Sequence, residues 1–313
     1  MIYIKDTLDF SIDTPTAVTL GKFDGLHRGH DLLMQNLQQI RNNFGCATVA
    51  FTFDIPPKSK LGEEKYQILT TNIEKEYIFE KRGIDYLIEC PFTPEIMHMD
   101  PEDFIAWIAN SLNMKYVVVG DDFCFGYNRQ GNYETLIQHQ EKYGYTAVVV
   151  PKMQDEGRDI SSTYIREEIK KGRISKANEL LGYPYLVKSQ VIHGKKLGRT
   201  IGIPTINMAF PEEKLLPAFG VYVTSVEVNG KTYGGVTNVG KKPTVSQENI
   251  VGVETFILDF SGDIYGEDVV VSFLDFIRGE QKFSSLDELQ TQMEKDISYA
   301  RNCYENVTNM LTL

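Results

Sequence analysis

A chain of 313 residues exceeds what one hydrophobic core usually serves and points to two domains. With 42% apolar and 24% charged residues it reads as a soluble globular protein, and no apolar run approaches the roughly 20 residues that cross a bilayer. A formal net charge of −11 argues against a general nucleic-acid binder, yet leaves room for phosphate ligands held by local cations and helix N-termini. Met1–Asp13 is broken by Lys5, Asp6, Asp9 and Asp13 and does not read as a secretory signal, so the cytoplasm is the expected compartment. Cys46, Cys90, Cys124 and Cys303 are scattered without CxxC spacing, as reduced thiols are.

In chain order, Ala17–Leu20 reads as a short strand, followed by the glycine-rich segment Gly21–His30 and a helix whose Leu33, Leu37, Ile40 and Phe44 form one apolar stripe. Strand Cys46–Phe53, helix Asn72–Arg82, strand Tyr86–Glu89 and helix Pro101–Leu112 come next. Strand Tyr116–Gly120, helix Asn132–Lys142 and strand Thr146–Val150 complete the series. This alternation predicts a doubly wound parallel sheet. Two short helical stretches follow, Thr163–Lys171 and Ser175–Leu181. After Gly182 the strand-like runs Leu186–Ile192, Val221–Val228, Thr232–Val239, Val253–Phe260 and Val269–Phe276, separated by turns, predict a small antiparallel β-barrel. A C-terminal helix begins near Leu286, with Ser285 and Glu288 in capping-box spacing. The domains read as 1–182 and 183–313.

Three segments carry chemistry. Gly21, Phe23, Asp24, Gly25 and Gly29 lie where a first strand hands over to a helix, a position that faces the ligand crevice of a parallel sheet. His27 and His30, three apart, share one face of the first turn and suit a phosphoryl oxygen. The competing readings are a glycine turn with incidental histidines, or a zinc pair still lacking a third ligand. Ser161, Ser162 and Thr163 place three hydroxyls at a helix start with Arg166 one turn in, which is either a polyphosphate clamp or a serine N-cap. The run His193–Asn207 is rich in glycine and cations but lacks P-loop spacing. Its Gly194, Gly198, Arg199 and Gly202 suit a phosphate chain, and Thr205 and Asn207 offer neutral oxygens to Mg²⁺, unless the segment is a plain loop.

The first two segments resemble the HxGH nucleotidyltransferases, which implies a Rossmann-like fold for the parallel sheet. With Gly120-Asp121-Asp122-Phe123-Cys124-Phe125-Gly126, the N-terminal half resembles the flavin-adenylating module of bacterial riboflavin kinase/FAD synthetases. The C-terminal half is similar to the riboflavin kinase barrel of that family. Pro204-Thr205-Ile206-Asn207, Val253-Glu254-Thr255 and Phe276-Ile277-Arg278 carry that match. The resemblance implies ATP, riboflavin, FMN and FAD as ligands, with flavins as substrate and product. It implies Mg²⁺ on Thr205 and Asn207, Glu254 as general base, and Asp122, Phe123 and Arg278 near flavin. Read without the resemblance, Glu254 could equally be a paired structural carboxylate. The expected chain is a monomer or weakly self-associating, with no nucleic-acid or membrane partner.

The implied chemistry differs between halves. A neutral 5′-hydroxyl needs a base, whereas the phosphate of FMN is already anionic and needs positioning and charge neutralisation. Three positions depart from the family pattern: Ile55-Pro56-Pro57 lacks a histidine, Tyr164 replaces an arginine, and Phe256 replaces a histidine. A kinase with a weak or lost adenylating module, and a non-catalytic flavin- or nucleotide-binding regulator, are the alternatives to a bifunctional enzyme.

Overall fold

The computed structural model describes residues 1–54, 67–194, 202–242 and 250–311. It divides into two compact units, Met1–Ser162 and Thr163–Leu313.

The first unit is built on strands β1 (Ile2–Lys5), β2 (Thr16–Leu20), β3 (Ala47–Asp54), β4 (Tyr86–Pro91), β5 (Met114–Gly120) and, after two short hairpin strands β6 (Cys124–Phe125) and β7 (Gly131–Asn132), β8 (Thr146–Val150). Six of them form one sheet in the order β1-β4-β3-β2-β5-β8, every pairing parallel. The chain runs outward from β2 through β3 to β4, then returns to place β5 on the other side of β2. The order therefore reverses at β2, and in such sheets ligands bind at the carboxyl ends of the strands flanking that reversal.

Helices α1 (Arg28–Phe44), α2 (Asn72–Lys81), α3 (Pro94–Met97), α4 (Pro101–Ser111) and α5 (Tyr133–Tyr143) connect the strands. The apolar stripe of α1 is buried at Leu33, Leu37 and Ile40, with Met34 beside it. Phe44, the last residue of the predicted stripe, is 62% exposed, because Gly45 turns left-handed there and ends the helix. One side of the sheet packs Val18, Leu20, Val49, Phe51, Ile88, Val117 and Val119 against Phe104, Ile105 and Ile108 of α4. Strand β1 was not foreseen from sequence. Its four residues are half exposed at the sheet edge, where the Tyr3 hydroxyl bonds Glu89, which in turn pairs with buried Lys75 at 3.0 Å. A small hairpin, β9 (Gln154–Asp155) and β10 (Arg158–Asp159), ends the unit.

The second unit begins at Thr163, within α6 (Ser162–Lys170), and continues with α7 (Ile174–Leu181), closed by left-handed Gly182. Strands β11 (Tyr185–Ile192), β12 (Ile206–Ala209), β13 (Gly220–Val228), β14 (Lys231–Lys242), β15 (Ile250–Ile257) and β16 (Asp268–Gly279) close into a barrel in the order β11-β12-β15-β14-β13-β16. All its pairings are antiparallel. The sequence pattern yields five of the six strands. Strand β12 escapes it because four residues after Pro204 are too few to show alternation. The interior carries a ladder of buried hydroxyls, Thr224 to Thr237 at 2.8 Å and Thr237 to Thr255 at 2.9 Å. The chain continues into α8 (Leu286–Leu311). Its capping box forms by halves. Glu288 N–H donates to Ser285 Oγ at 3.2 Å, but the Glu288 carboxylate accepts from Ser284 instead of returning to Ser285.

Candidate functional site

Gly21 follows β2 at the point where the strand order reverses. From there the loop winds tightly: Phe23, Gly25 and Leu26 adopt φ of 50°, 88° and 34°. Left-handed conformations at two non-glycine residues cost on the order of 1–3 kcal/mol each and persist only when the surroundings impose them. Here the imposition is burial. Phe23 and Leu26 are 0% exposed, and the Phe23 ring meets Phe79 and His30 edge-on, both at 5.3 Å. A Cβ at Gly21 would lie 3.0 Å from the Phe23 ring, so glycine there makes room for the aromatic anchor.

Polar contacts complete the bracing. The buried carboxylate of Asp24 accepts the Leu69 N–H at 2.7 Å and the Thr70 N–H at 3.3 Å. The Gly25 N–H donates to Thr70 Oγ1 at 2.6 Å, and Ser162 Oγ donates to the Asp24 carbonyl at 2.6 Å. Arg82 Nη2 donates to the Leu26 carbonyl at 3.1 Å while its Nε reaches Asp31 at 2.6 Å. Thr70 and Arg82 are far off in sequence, and no motif marks them.

This loop delivers two imidazoles. His27, at the N-cap of α1, makes no side-chain cap bond, so it leaves the helix's leading N–H groups without a side-chain partner from that position. The rings of His27 and His30 stack at 3.9 Å, and the Nδ1 atoms of both are buried with no hydrogen-bond partner among the described residues. Burial pulls the His27 pKa down to about 4, against the opposing charges of Asp24 and Asp122. It pulls His30 well below the usual range, helped by His27 and Arg82. Two stacked rings in this setting are neutral at pH 7, and each offers an N–H rather than a full positive charge. Buried polar atoms without partners cost roughly 1–3 kcal/mol apiece and mark a place where function outweighs stability. Thr19 and Thr52, at 0% and 1% exposure on β2 and β3, also carry hydroxyls without a partner among the described residues, and no sequence signal marks them.

Gly29 separates the two histidines for a steric reason. A Cβ there would stand 3.1 Å from His27 Nδ1 and 3.2 Å from its Cε1. Gly29→Ala is therefore expected to push the His27 ring off its seat. Reactions at this loop should slow by at least an order of magnitude, with the melting temperature nearly unchanged; steady-state kinetics beside a thermal melt checks this.

The neutral state of His27 also sets a pH dependence of stability. Its folded pKa of about 4 lies below the unfolded value of about 6.5, so the unfolded chain binds more protons between those limits. Stability is complete above about pH 6.5 and is lost as pH falls toward 4, by at most about 3 kcal/mol from this residue. Denaturant unfolding at pH 7 and pH 4.5 should show a smaller drop for His27→Gln than for the parent chain. An equal drop would contradict the buried neutral ring.

The remaining predicted residues of this half are distributed as follows. Asp122, on the loop after β5, is exposed and faces Lys152 at 3.3 Å, close enough to His27 to be felt electrostatically. Phe123 stacks on Phe125 at 5.5 Å. Ser161 is partly buried ahead of α6. Thr163 is exposed, Tyr164 buried and Arg166 partly buried on α6, which belongs to the second unit. Residues 55–57 lie outside the described residues.

In the barrel, Glu254 of β15 pairs in register with Asn207 of β12. Val253 and Thr255 on either side are 0% exposed and point inward, so Glu254 points outward. Thr205 Oγ1, one residue before β12, donates to Glu254 Oε1 at 2.6 Å. That contact brings Thr205 and Asn207 to the same side of the segment, as their spacing predicts. Gly194 packs so tightly over Asn207 that a Cβ would fall 2.1 Å from its Nδ2 and displace the amide. Gly202 is exposed with φ 75°; Gly198 and Arg199 lie outside the described residues. Phe256 shares the outward side with Glu254 and is partly buried. Arg278 has a strong structural partner. Its Nη2 and Nε hold Asp296 of α8 at 2.7 and 3.1 Å, with Asp296 only 3% exposed, and this pair fastens the terminal helix to β16.

The donor set of Thr205 and Asn207 suits Mg²⁺, which takes hard oxygen ligands and keeps several for water and phosphate. No cluster of three or more His, Cys, Asp or Glu able to hold a metal occurs among the described residues.

Comparison with known proteins follows the same division. The FAD synthetase family matches residues 9–164 and the riboflavin kinase family residues 181–304. A bifunctional riboflavin kinase/FMN adenylyltransferase of Listeria monocytogenes is 35% identical over 292 residues, covering 93% of each chain. Its namesake from Escherichia coli K12 is 34% identical, covering 92% of each. A crystal structure titled as a macrolide-efflux protein from Streptococcus pneumoniae superposes with a TM-score of 0.84 at 33% identity, over 96% of this chain and 99% of that one. In this chain no helix among the described residues is long and apolar enough to cross a membrane.

Proposed function

Since this chain belongs to the family of bifunctional riboflavin kinase/FMN adenylyltransferases, we propose that its two activities are carried by the two clusters described above, one in each unit. The chain phosphorylates riboflavin to FMN and adenylates FMN to FAD, using ATP in both steps. Glu254 is the base of the first reaction. It takes the proton of the riboflavin 5′-hydroxyl as that oxygen attacks the γ-phosphorus of ATP and ADP leaves. The observation that carries the assignment is the hydrogen bond from Thr205 to Glu254 beside Asn207. It holds one carboxylate oxygen and leaves the other for the substrate hydroxyl. Thr205 and Asn207 are the groups that would hold Mg²⁺ arriving with ATP, and the ion would neutralise phosphate charge there. Gly194 and Gly202 line the phosphate chain in this reading, and the assignment of Gly198 and Arg199 to it rests on their sequence pattern.

In the second reaction the phosphate of FMN attacks the α-phosphorus of ATP and pyrophosphate departs. The nucleophile is already anionic, so the unit needs no base. His27 and His30, together with the leading N–H groups of α1, donate hydrogen bonds to the phosphoryl oxygens as charge builds on them. Asp24, Gly21, Gly25 and Phe23 hold that loop in shape, and Asp122 and Phe123 border the flavin. The assignment of Ser161, Ser162, Thr163 and Arg166 to phosphate rests on their sequence pattern. The four unpaired cysteines support a reducing, cytoplasmic setting.

Incubation of the purified chain with riboflavin, ATP and Mg²⁺, with the flavins resolved by chromatography, tests the proposal. FMN followed by FAD is the expected order of appearance. FMN alone would mean the adenylating half is inactive, and unchanged riboflavin would leave only a binding role.

A further inference from the structure

Glu254 has a polar neighbour on each side. The register of the barrel sets it opposite Asn207 on β12 and opposite Asn238 on β14. Directly paired residues on adjacent strands point to the same side, so the three side chains form a row across β12, β15 and β14. At ordinary strand spacing the row measures roughly 10 Å from one asparagine to the other, with the carboxylate midway.

The two asparagines are not equivalent. Asn207 is buried beneath Gly194. Asn238 is exposed. Two residues further along β14, Gly240 leaves space that Glu280 occupies. A Cβ at Gly240 would come 2.2 Å from Glu280 Oε1 and 3.5 Å from Asn238 Nδ2.

A base serving phosphoryl transfer to an alcohol must touch the attacking oxygen, with the phosphate donor to one side and the rest of the alcohol to the other. Thr205, Asn207 and Gly194 occupy the donor side. The side left for the acceptor is the one that holds Asn238. A primary amide has two donors and an acceptor, which suits a chain of vicinal hydroxyls and gives nothing to an apolar ring edge. We propose that Asn238 is a specificity residue of the kinase site, binding the ribityl hydroxyls of riboflavin so that the terminal one rests against Glu254.

The inference rests on Glu254 being the base, and the test separates the two. In the full chain, Asn238→Ala should raise the KM for riboflavin about tenfold while the KM for ATP and the adenylation of added FMN stay unchanged. An unchanged riboflavin KM, or a parallel rise for ATP, would overturn the role of Asn238. Glu254→Gln is measured alongside: retained phosphorylation there would remove the base itself, whatever Asn238 does.

Discussion

His30→Ala is expected to cut FAD formation from FMN and ATP by roughly 10²–10³ while riboflavin is still phosphorylated at the parent rate. The size follows from the electrostatics of the loop. His30 lies against Phe23 and the His27 ring, and burial holds its pKa far below the ordinary value. A neutral N–H aimed at a developing charge from a dry, rigid position is worth far more than the same group in water. Alanine removes the donor and leaves water in its place. The fold should survive, because the change also removes a buried nitrogen that has no partner among the described residues. Measuring both half-reactions on one preparation checks the prediction; equal loss of both would contradict it.

Glu254→Gln has the opposite signature. Phosphorylation of riboflavin should fall by roughly 10²–10⁴, the usual worth of a positioned general base, and added FMN should still become FAD. Glutamine keeps the shape and can still accept the Thr205 hydroxyl bond on its amide oxygen. What it loses is the capacity to take a proton. The defect should therefore appear in kcat, with the KM for ATP little changed. A matching rise in KM at constant kcat would mean that Glu254 binds rather than deprotonates.

Much of this architecture is legible from periodicity. The strand and helix alternation up to Val150 and the shift to turn-separated strands after Gly182 specify a parallel sheet followed by a barrel. The elements that escape are those whose stability comes from tertiary partners. Strand β1 is four residues at an edge, anchored through Tyr3 to Glu89. Strand β12 has the same length and owes its place to pairing with β11 and β15.

The same rule governs the sites. The spacing of His27 and His30 correctly places two imidazoles on one helical turn. Nothing in the sequence shows that their rings stack, or that Asp24 turns its carboxylate to the backbone of Leu69 and Thr70. The resemblance places Arg278 near flavin, and nothing in the sequence shows that its guanidinium also holds an aspartate 18 residues later on α8, a contact that exists only once the helix has docked. Asn238 carries no motif, and it comes into view only when the register of β14 against β15 is known.

The central claim is that two independent sites act in sequence on one flavin, and complementation between variants tests it most directly. His30→Ala and Glu254→Gln are purified separately and supplied with riboflavin, ATP and Mg²⁺. Neither should yield FAD alone: the first stops at FMN and the second leaves riboflavin unchanged. Mixed together they should produce FAD, because FMN released by one barrel is adenylated by the other chain's intact loop. A mixture of folded variants that makes no FAD, or either variant making it unaided, would contradict the account.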